Sequence, residues 1–469
     1  MSFWQKLKPY WEIYRLVWPL ALGMANNAVM QFVDRVFLSR ESAASLEAVL
    51  PASMLAILFI GFFQAIVMYS GTFVAQYHGA KDACGCRMSF LCGLALSVVS
   101  GLLLGALVPV GIHVFDWVGH APAVVARERT YYSIVMAGGW ALCATMAASG
   151  YFTGRSRTRL VFWVNLLGNV LNILLDYLLI FGFSFTLTIP FADLSPFTFN
   201  LSPLGIAGAA GATVASQVVQ MLILCTLAIL DHQGVRKADL NGRFPELLKL
   251  MGRILRFGLP TGVHSVLNIL SFTVFVFLTG KVGDLAFAVS NAAFTVNYLL
   301  YAPMEGFGIG AGILVGQHQG AGDSAGAFRA GNRALVLGEI YIAVASVAVL
   351  VFYRPLLLLF ASDTASLDPT AFCALGFTLF LMMVAWQFSD AAEVVMSGAL
   401  KGAGDTRFVM TWMLIMAFPF WMPILFVTYH FCPTMQALWG TMLIYCVVFA
   451  IGTAIRWIWG PWRRIRLIG

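Results

Sequence analysis

Acidic residues lie inside apolar stretches of this sequence, where an ionised side chain is costly and is usually functional. Asp34 follows Arg15 by 19 residues, and Asp176 follows Arg159 by 17 residues. At about 1.5 Å of rise per helical residue, both carboxyl groups lie about 26 to 28 Å beyond these arginines along their helices. Two carboxyl groups close together can share a proton or hold a cation, so this pair is a candidate ion site.

Two further residues extend this candidate site. Asn172 precedes Asp176 by one helical turn and shares its face. The Asn172 amide and a hydroxyl such as that of Thr213 would complete an oxygen cage suited to Na⁺. The alternative is that Asp34 is solvated at its helix end or pairs with Arg35 or Arg40. Asp176 is the stronger candidate, because no basic residue lies near it in the sequence.

A second group of acids lies in the other half of the chain. Asp390 precedes Lys401 by 11 residues and Glu305 precedes Gly316 by 11 residues, which places both near the middle of a membrane at about 1.5 Å per residue. Glu393 shares a helical face with Asp390. Such groups can bind and release a proton, or balance the charge of a cationic substrate. The alternative is an acid capped by helix hydroxyls and amides, and for Glu393 the two interpretations are balanced.

The sequence indicates no cofactor and no enzymatic centre. It contains neither the GxxxxGK[ST] phosphate-binding loop nor the GxSxG nucleophile motif. Cys84 and Cys86 form a CxC motif. No second pair of cysteines and no set of histidines lies near it in the sequence, so the ligands are too few for a metal site. His264 lies one turn from Asn268, and we interpret it as a hydrogen-bonded packing residue, although it can titrate.

Long apolar segments must position these acids. Hydrophobic residues make up 60% of the 469-residue chain and charged residues 10%, whereas soluble domains carry about 25% charged residues. Runs of about 20 to 30 apolar residues are long enough to cross about 30 Å of hydrocarbon as helices. A membrane β-barrel would show short alternating strands instead. The predicted fold is an all-α polytopic membrane protein with about 12 transmembrane helices.

The distribution of basic residues predicts the orientation of these helices. The chain contains 28 Lys and Arg residues, and most of them fall on one set of alternate loops together with both termini. Loops rich in Lys and Arg remain on the cytoplasmic side of the membrane. The net charge of +7 is then explained by attraction to anionic lipid rather than to nucleic acid. The first 15 residues resemble an amphipathic surface helix and not a cleaved signal peptide.

An internal repeat organises the helices into two units. VAQYHGAKD at Val74–Asp82 recurs as VGQHQGAGD at Val315–Asp323, 241 positions later (315 − 74). GYFTGRSRTRLV from Gly150 recurs as GALKGAGDTRFV from Gly398, 248 positions later (398 − 150). A unit of six spans begins and ends on the same side, so its copy has the same orientation and forms a parallel, pseudo-two-fold repeat.

The repeat predicts three regions and one exception to the symmetry. The regions are an N-terminal six-helix lobe (residues 1–230), a cytoplasmic connection between the lobes (residues 231–245) and a C-terminal six-helix lobe (residues 246–469). The exception is the outer segment from Phe183 to Pro203, which contains alternating Thr, Phe and Ile as well as prolines. This segment is either a short hairpin or an irregular solvated loop.

Motifs across nearly the whole chain resemble those of the multidrug and toxic compound extrusion (MATE) family. In the first half they are VDRVFL, VAQYHGAKD, NILLDYLLIFG and GIAGAAGAT. In the second half they are FGLPTGV, LVGQHQGAGD and DAAEVVMSGALKGAGDTRF. The resemblance implies 12 helices in two lobes and export of amphipathic, often cationic drugs and toxic compounds in exchange for H⁺ or Na⁺.

The resemblance also implies roles for individual residues. In one branch of the family the coupling site lies in the N-terminal lobe, and its positions match Asp34, Asn172, Asp176 and, less directly, Thr213. In another branch the site lies in the C-terminal lobe and uses an aspartate that matches Asp390. That branch has a glutamate where this chain has Asn268, so a C-terminal cation site would require Glu305 to replace the missing charge. Arg35 also departs from the family, in which a small polar residue is usual.

We therefore expect a secondary active antiporter that works by alternating access as a monomer in the cell inner membrane. Its predicted partners are small amphipathic or cationic substrates and the lipid bilayer. The alternative is a lipid-linked saccharide flippase of the same superfamily, which would line its cavity with arginines for pyrophosphate. In this sequence acidic residues, and not arginines, lie within the predicted spans. This difference in the charge of the cavity favours the exporter.

Overall fold

The computed structural model describes residues 3–187, 197–231, 243–361 and 369–468, and it is almost entirely helical. Over these residues, 12 helical segments are long and apolar enough to cross a membrane, as predicted. The helices of the N-terminal half are α1 (Phe3–Glu41), α2 (Ala43–Met68), α3 (Ser70–Gly79), α4 (Ala83–Val118), α5 (Pro122–Thr153), α6 (Thr158–Phe181) and α7 (Ile206–Leu230). We call this half the N-lobe.

The second half, the C-lobe, repeats this arrangement. Its helices are α8 (Phe244–Thr279), α9 (Asp284–Gly320), α10 (Ser324–Val351), α11 (Tyr353–Ala361), α12 (Pro369–Ala403), α13 (Thr406–Ile415), α14 (Met422–Phe431) and α15 (Met435–Trp459). Helices α2 and α3 form one span, and α13 and α14 form another.

The repeated motif ends one helix and begins the next in the same way in both lobes. The Asp82 carboxylate accepts a hydrogen bond from the Gly85 amide at 2.9 Å, and the Asp323 carboxylate accepts one from the Gly326 amide at 2.7 Å. These bonds satisfy donors at the starts of α4 and α10. The Gly326 amide also holds the pKa of the Asp323 carboxyl below its ordinary value. The two aspartates are thus equivalent helix caps.

Close helix packing follows the same repeat. A Cβ atom on Gly71 of α3 would lie 2.8 Å from the Gly150 Cα of α5, and one on Gly312 of α9 would lie 2.8 Å from the Gly398 carbonyl oxygen of α12. Small residues permit such backbone contact between membrane helices. Gly312 and Gly398 are the repeat equivalents of Gly71 and Gly150, so the structure confirms the predicted parallel repeat.

The two lobes meet where α1 packs on α9 and α2 packs on α8. The contact is tight because glycines face backbone across it. A Cβ atom on Gly306 would lie 2.5 Å from the Ala21 nitrogen, and one on Gly262 would lie 2.8 Å from the Phe62 carbonyl oxygen. Helix α1 therefore belongs to the N-lobe and also forms a large part of the interface between the lobes.

The closest contact between the lobes lies at one end of the bundle. We call it the basic end, and it carries the loops Ala80–Asp82, Gly154–Arg157, Ala321–Asp323 and Gly404–Asp405. Here Gln76 donates to the Gly402 carbonyl at 3.1 Å, and Gln317 donates to the Gly154 carbonyl at 2.8 Å. Each glutamine is the repeat equivalent of the other, as are the two glycines. The basic end is thus closed by a reciprocal pair of hydrogen bonds.

Three features depart from uniform helical spans. A π-helix, Met416–Trp421, interrupts the eleventh span and contains Pro419, which has no amide proton to donate. The predicted surface helix at residues 1–15 is not separate, because α1 runs continuously from Phe3 into the first span. Of the two alternatives for the outer segment, the structure shows the hairpin, in which Phe183–Leu187 and Phe197–Leu201 pair antiparallel.

Parts of two predicted features lie outside the described residues. They are residues 188–196 of the outer segment and residues 232–242 of the predicted connection between the lobes.

Candidate functional site

The structure brings Asp34 of α1 and Asp176 of α6 together in the N-lobe. Their carboxyl groups lie within hydrogen-bonding reach of each other. Asp176 is fully buried, whereas Asp34 is half-buried. Two carboxyl groups cannot donate to each other unless one is protonated, so this contact favours an arrangement with a shared proton or a bound cation.

The Asn172 side chain links this carboxyl pair to a third helix. In the orientation that satisfies both of its partners, the amide donates to Asp34 Oδ1 at 3.2 Å and accepts from the Thr213 backbone N–H at 3.3 Å. Asn172 has no exposed surface. The site therefore fixes α1, α6 and α7 relative to one another.

Thr213 joins the site differently from the sequence prediction. Its backbone amide contacts Asn172, while its hydroxyl donates to the Ala209 carbonyl at 3.1 Å. A threonine inside a helix commonly satisfies its hydroxyl with the carbonyl four residues earlier. The hydroxyl proton is thus occupied within α7, and only the lone pairs of the oxygen remain available to a cation.

One buried acceptor in the site is unsatisfied. Asp176 Oδ1 has no hydrogen-bond partner among the described residues. Leaving a buried polar atom unpaired costs about 1 to 3 kcal/mol, and a proton or a cation would remove that cost. The described residues contain no group of three or more His, Cys, Asp and Glu that could hold a metal ion. Any ion here would therefore be held by two carboxyl groups and neutral oxygens.

The polar face continues toward the basic end, which the sequence prediction missed. Asn169 donates to Asn27 Oδ1 at 2.7 Å and adds a second bond between α6 and α1. The signal was present as helical spacing of polar residues on one face of α6. These residues are Asn165, Asn169, Asn172 and Asp176. Steps of three and four residues put side chains on one face of a helix.

A second acidic cluster lies in the C-lobe and includes three of the predicted residues. Glu305 of α9 and Asp390 and Glu393 of α12 are close enough to interact electrostatically. Glu305 bonds to the Tyr301 hydroxyl, and Glu393 accepts a hydrogen bond from Ser397. Glu305 is exposed although α9 is a central helix.

The fourth member of this cluster is Lys401, in the last turn of α12. Its ammonium group interacts with Glu305 and Glu393, and its Nζ atom lies 3.5 Å from His264 Nδ1 on α8. The signal was again spacing, since Glu393, Ser397 and Lys401 follow one another at four-residue steps. His264 is thus a neighbour of a charged group and not merely a packing residue.

Asn268 is exposed and lies one helical turn beyond His264. Its backbone carbonyl accepts a hydrogen bond from the Ser271 hydroxyl at 2.9 Å. No side-chain hydrogen bond joins Asn268 to the acidic cluster within the described part of the chain. Glu305, in contrast, interacts directly with Asp390.

Comparison with known proteins identifies the family. The MatE family model matches residues 19–178 and 260–427, one segment in each lobe. The chain belongs to the MatE family. The MatE chain is 26% identical over 422 residues to the probable multidrug resistance protein NorM of Brucella suis, covering 87% of this chain and 83% of the relative. It is 28% identical over 428 residues to the protein of that name from Rhodopseudomonas palustris, covering 87% and 84%.

Solved structures show the same fold. A MOP superfamily transporter from Pyrococcus furiosus aligns with a TM-score of 0.79 at 20% identity, over 98% of this chain and 96% of that one. A structure described as the outward-facing conformation of a multidrug resistance MATE family transporter aligns with a TM-score of 0.78 at 19% identity, over 98% and 96%. This MatE chain is therefore a multi-pass membrane transporter and not an enzyme.

Proposed function

We propose that this transporter is a secondary active antiporter that exports amphipathic, often cationic drugs and toxic compounds in exchange for H⁺ or Na⁺. The observation that carries the proposal is the contact between the Asp34 and Asp176 carboxyl groups, with one buried oxygen left unsatisfied. The relatives called probable multidrug resistance proteins support the substrate class.

Helix α1 provides the mechanical link in the proposed cycle. It carries Asp34 in the N-lobe site and packs against α9 at Gly306 and Gly310 of the C-lobe. When the carboxyl pair loses its proton or cation, the two negative charges repel each other, and α1 repacks. Because α1 is also an interface helix, this repacking changes the contact between the lobes, which alternating access requires.

The C-lobe cluster is the proposed contact for cationic substrates. The cluster contains three carboxyl groups and one ammonium group, which interacts with two of them, so it is net negative when its members are ionised. The exposed Glu305 can meet a substrate directly. This acidic interior argues against a flippase for lipid-linked saccharides, because a pyrophosphate group requires basic partners.

We further propose a monomer in the cell inner membrane, with lobes at residues 1–230 and 246–469. Both termini and the basic end face the cytoplasm in this proposal, because basic loops are retained on that side. The closed basic end then corresponds to a state in which the substrate pathway is shut toward the cytoplasm.

Reconstituted protein tests both the activity and the coupling ion. Export of a fluorescent cationic dye would be measured in liposomes under a pH gradient alone and then under a Na⁺ gradient alone. Asp34→Asn and Asp176→Asn are expected to abolish the response to the effective gradient. The control is Asp284→Asn, an exposed residue at the start of α9. Export at the wild-type rate by both site variants would refute the proposed coupling site.

A further inference from the structure

A separate cavity of about 660 Å³ lies at the basic end, between α1, α6, α9 and α10. Both lobes contribute basic side chains to its wall. These side chains are Arg15, Arg157 and Arg159 from the N-lobe and His318 and Arg333 from the C-lobe. None of these residues belongs to the ion site or to the acidic cluster described above.

The positive charge of this cavity is poorly compensated. The carboxylate of Glu12 is the acidic group in its wall, and Arg157 is paired with Asp231 at 3.1 Å. Arg15, Arg159 and Arg333 form no ion pair with any carboxylate of the described residues. The guanidinium groups of Arg159 and Arg333 instead lie over the rings of Trp18 and Tyr10, at 5.9 and 6.0 Å from the centroids. These contacts leave their N–H donors available.

A buried hydroxyl provides an independent indication of a ligand. The Thr158 side chain lines the cavity and is 1% exposed, yet its Oγ1 atom has no hydrogen-bond partner among the described residues. Thr158 is also the first residue of α6, a 24-residue helix. The N-terminus of a helix presents free amide donors and a partial positive charge. Hydroxyl, amides and guanidinium groups together form a set of donors for an oxyanion.

The cavity connects the two lobes at the end where they close. Arg15 and Arg159 belong to one lobe and Arg333 to the other, so closure brings like charges toward each other. An anion between them would turn this repulsion into attraction to a shared counter-charge. Among the anions that arginine binds well, a phosphate group matches the guanidinium geometry with two parallel hydrogen bonds.

We infer that this cavity binds a phosphate group, either the headgroup of an anionic phospholipid or free phosphate, through Arg15, Arg159, Arg333 and the Thr158 hydroxyl. The bound phosphate bridges the lobes and stabilises the closed basic end. The site is distinct from the ion site and the acidic cluster, and phosphate binding does not depend on the proposed transport activity.

Binding can be measured on the full-length purified protein. Nanodiscs of phosphatidylcholine with increasing phosphatidylglycerol would provide the lipid arm, and inorganic phosphate added to pure phosphatidylcholine nanodiscs would provide the free-anion arm. The readouts are the thermal unfolding midpoint and the amount of phosphatidylglycerol retained in native mass spectra. Wild-type protein is expected to be stabilised by at least one of the two phosphate sources. The arm that responds identifies the source.

Two double variants separate this site from general surface charge. Arg15→Gln with Arg333→Gln should weaken binding by about fivefold per arginine, or about 25-fold together, because a basic side chain near anionic lipid contributes about 1 kcal/mol. Arg329→Gln with Arg407→Gln removes the same charge from exposed positions outside the cavity and should retain binding. Equal losses in both double variants would overturn the inference.

Thr158→Val provides a second test that changes no charge and nearly preserves the side-chain shape. It removes only the unpartnered hydroxyl, so the variant should fold and should bind a few-fold more weakly. Wild-type binding by this variant together with wild-type binding by the double arginine variant would exclude the site. All these readouts are independent of dye transport, so the outcome is separate from that of the proposed function.

Discussion

The two acidic regions of the molecule differ in how their charges are compensated. In the N-lobe, Asp34 and Asp176 contact each other and the Asn172 amide, and the exposed Arg35 interacts electrostatically with Asp34. In the C-lobe, Glu305 and Glu393 interact with the ammonium group of Lys401. The cationic neighbour of the N-lobe pair is thus exposed, whereas that of the C-lobe cluster is half-buried among its acids.

This difference lies on a scaffold that is otherwise repeated. The equivalent of Asp34 in the C-lobe is Phe275, which is fully buried in the aromatic core. The equivalent of Lys401 in the N-lobe is Thr153, which is buried and uncharged. The helix caps and glycine contacts are preserved in both lobes, so duplication maintained the frame while the ionisable residues diverged. We therefore expect ion coupling in the N-lobe and substrate contact in the C-lobe.

The largest expected effect distinguishes these two roles. Asp176→Asn removes one member of the carboxyl pair, so dye export should fall to the background of protein-free liposomes. Asp390→Asn should leave export driven by the same ion and weaken the apparent affinity for a cationic dye by about tenfold, because one of several nearby carboxyl groups is lost. Transport measured over a range of dye concentrations checks both outcomes. The assignment is reversed if Asp390→Asn abolishes coupling and Asp176→Asn changes only affinity.

The next effect concerns the scaffold that the lobes share. A Cβ atom on Gly79 would lie 1.8 Å from the Gln317 carbonyl oxygen, and one on Gly320 would lie 1.8 Å from the Gln76 carbonyl oxygen. Both neighbours are backbone, so Gly79→Ala and Gly320→Ala should each destabilise the closed basic end by about 1 to 3 kcal/mol, as overpacking does. Transport should slow in both variants.

The separation of the lobes can be measured directly with spin labels on exposed positions of α4 and α10, Ala83 and Ala325, after replacement of accessible native cysteines. The distance between the labels should increase in Gly79→Ala and in Gly320→Ala. Gly105→Ala is the matched control, because nothing lies within 4 Å of the added carbon. Unchanged distances in Gly79→Ala would show that the basic end tolerates the methyl group without opening.

The next effect is expected from the basic member of the C-lobe cluster. Lys401→Met leaves Glu305 and Glu393 without their cationic neighbour and should lower the stability of the protein by about 1 to 3 kcal/mol. Adding Glu393→Gln should restore part of this loss, because one of the unpaired acids is then neutral. Thermal unfolding of the single and double variants gives the coupling energy. Lys249→Met, at an exposed position of α8, is the control, and additive effects would show that Lys401 and Glu393 are independent.

The fold and the acid pair of the N-lobe could be predicted directly from the sequence. Helix length, basic loops and the repeat of VAQYHGAKD predicted 12 spans in two lobes, because each depends only on composition and spacing. The similar distances of Asp34 and Asp176 along their helices followed from the rise per helical residue, since α1 and α6 are each continuous from the basic residue to the acid.

The remaining features depend on side-chain direction and tertiary contact. Lys401 lies at the end of α12, and counting residues takes it as the inner end of that span. Helical side chains point back toward the N-terminus, so its ammonium group reaches into the bundle. Thr213 contacts Asn172 through its backbone because its hydroxyl is satisfied within its own helix. Residue type and spacing alone decide neither the direction of the Lys401 side chain nor the group through which Thr213 contacts Asn172.

The smallest predicted effect compares the two repeat-related glutamines at the basic end. Gln76 is 2% exposed, whereas Gln317 is half-buried and donates both to Gly154 and to the Ser156 hydroxyl. Gln76→Leu should cost about 1 to 3 kcal/mol of closure, because the Gly402 carbonyl loses its donor in a buried place. Gln317→Leu should cost only about 0.5 to 1.5 kcal/mol, since water can replace the lost donor. Label distances between Ala83 and Ala325 check the order. Equal opening in both variants would mean that the repeat, and not burial, determines the contribution of each bond.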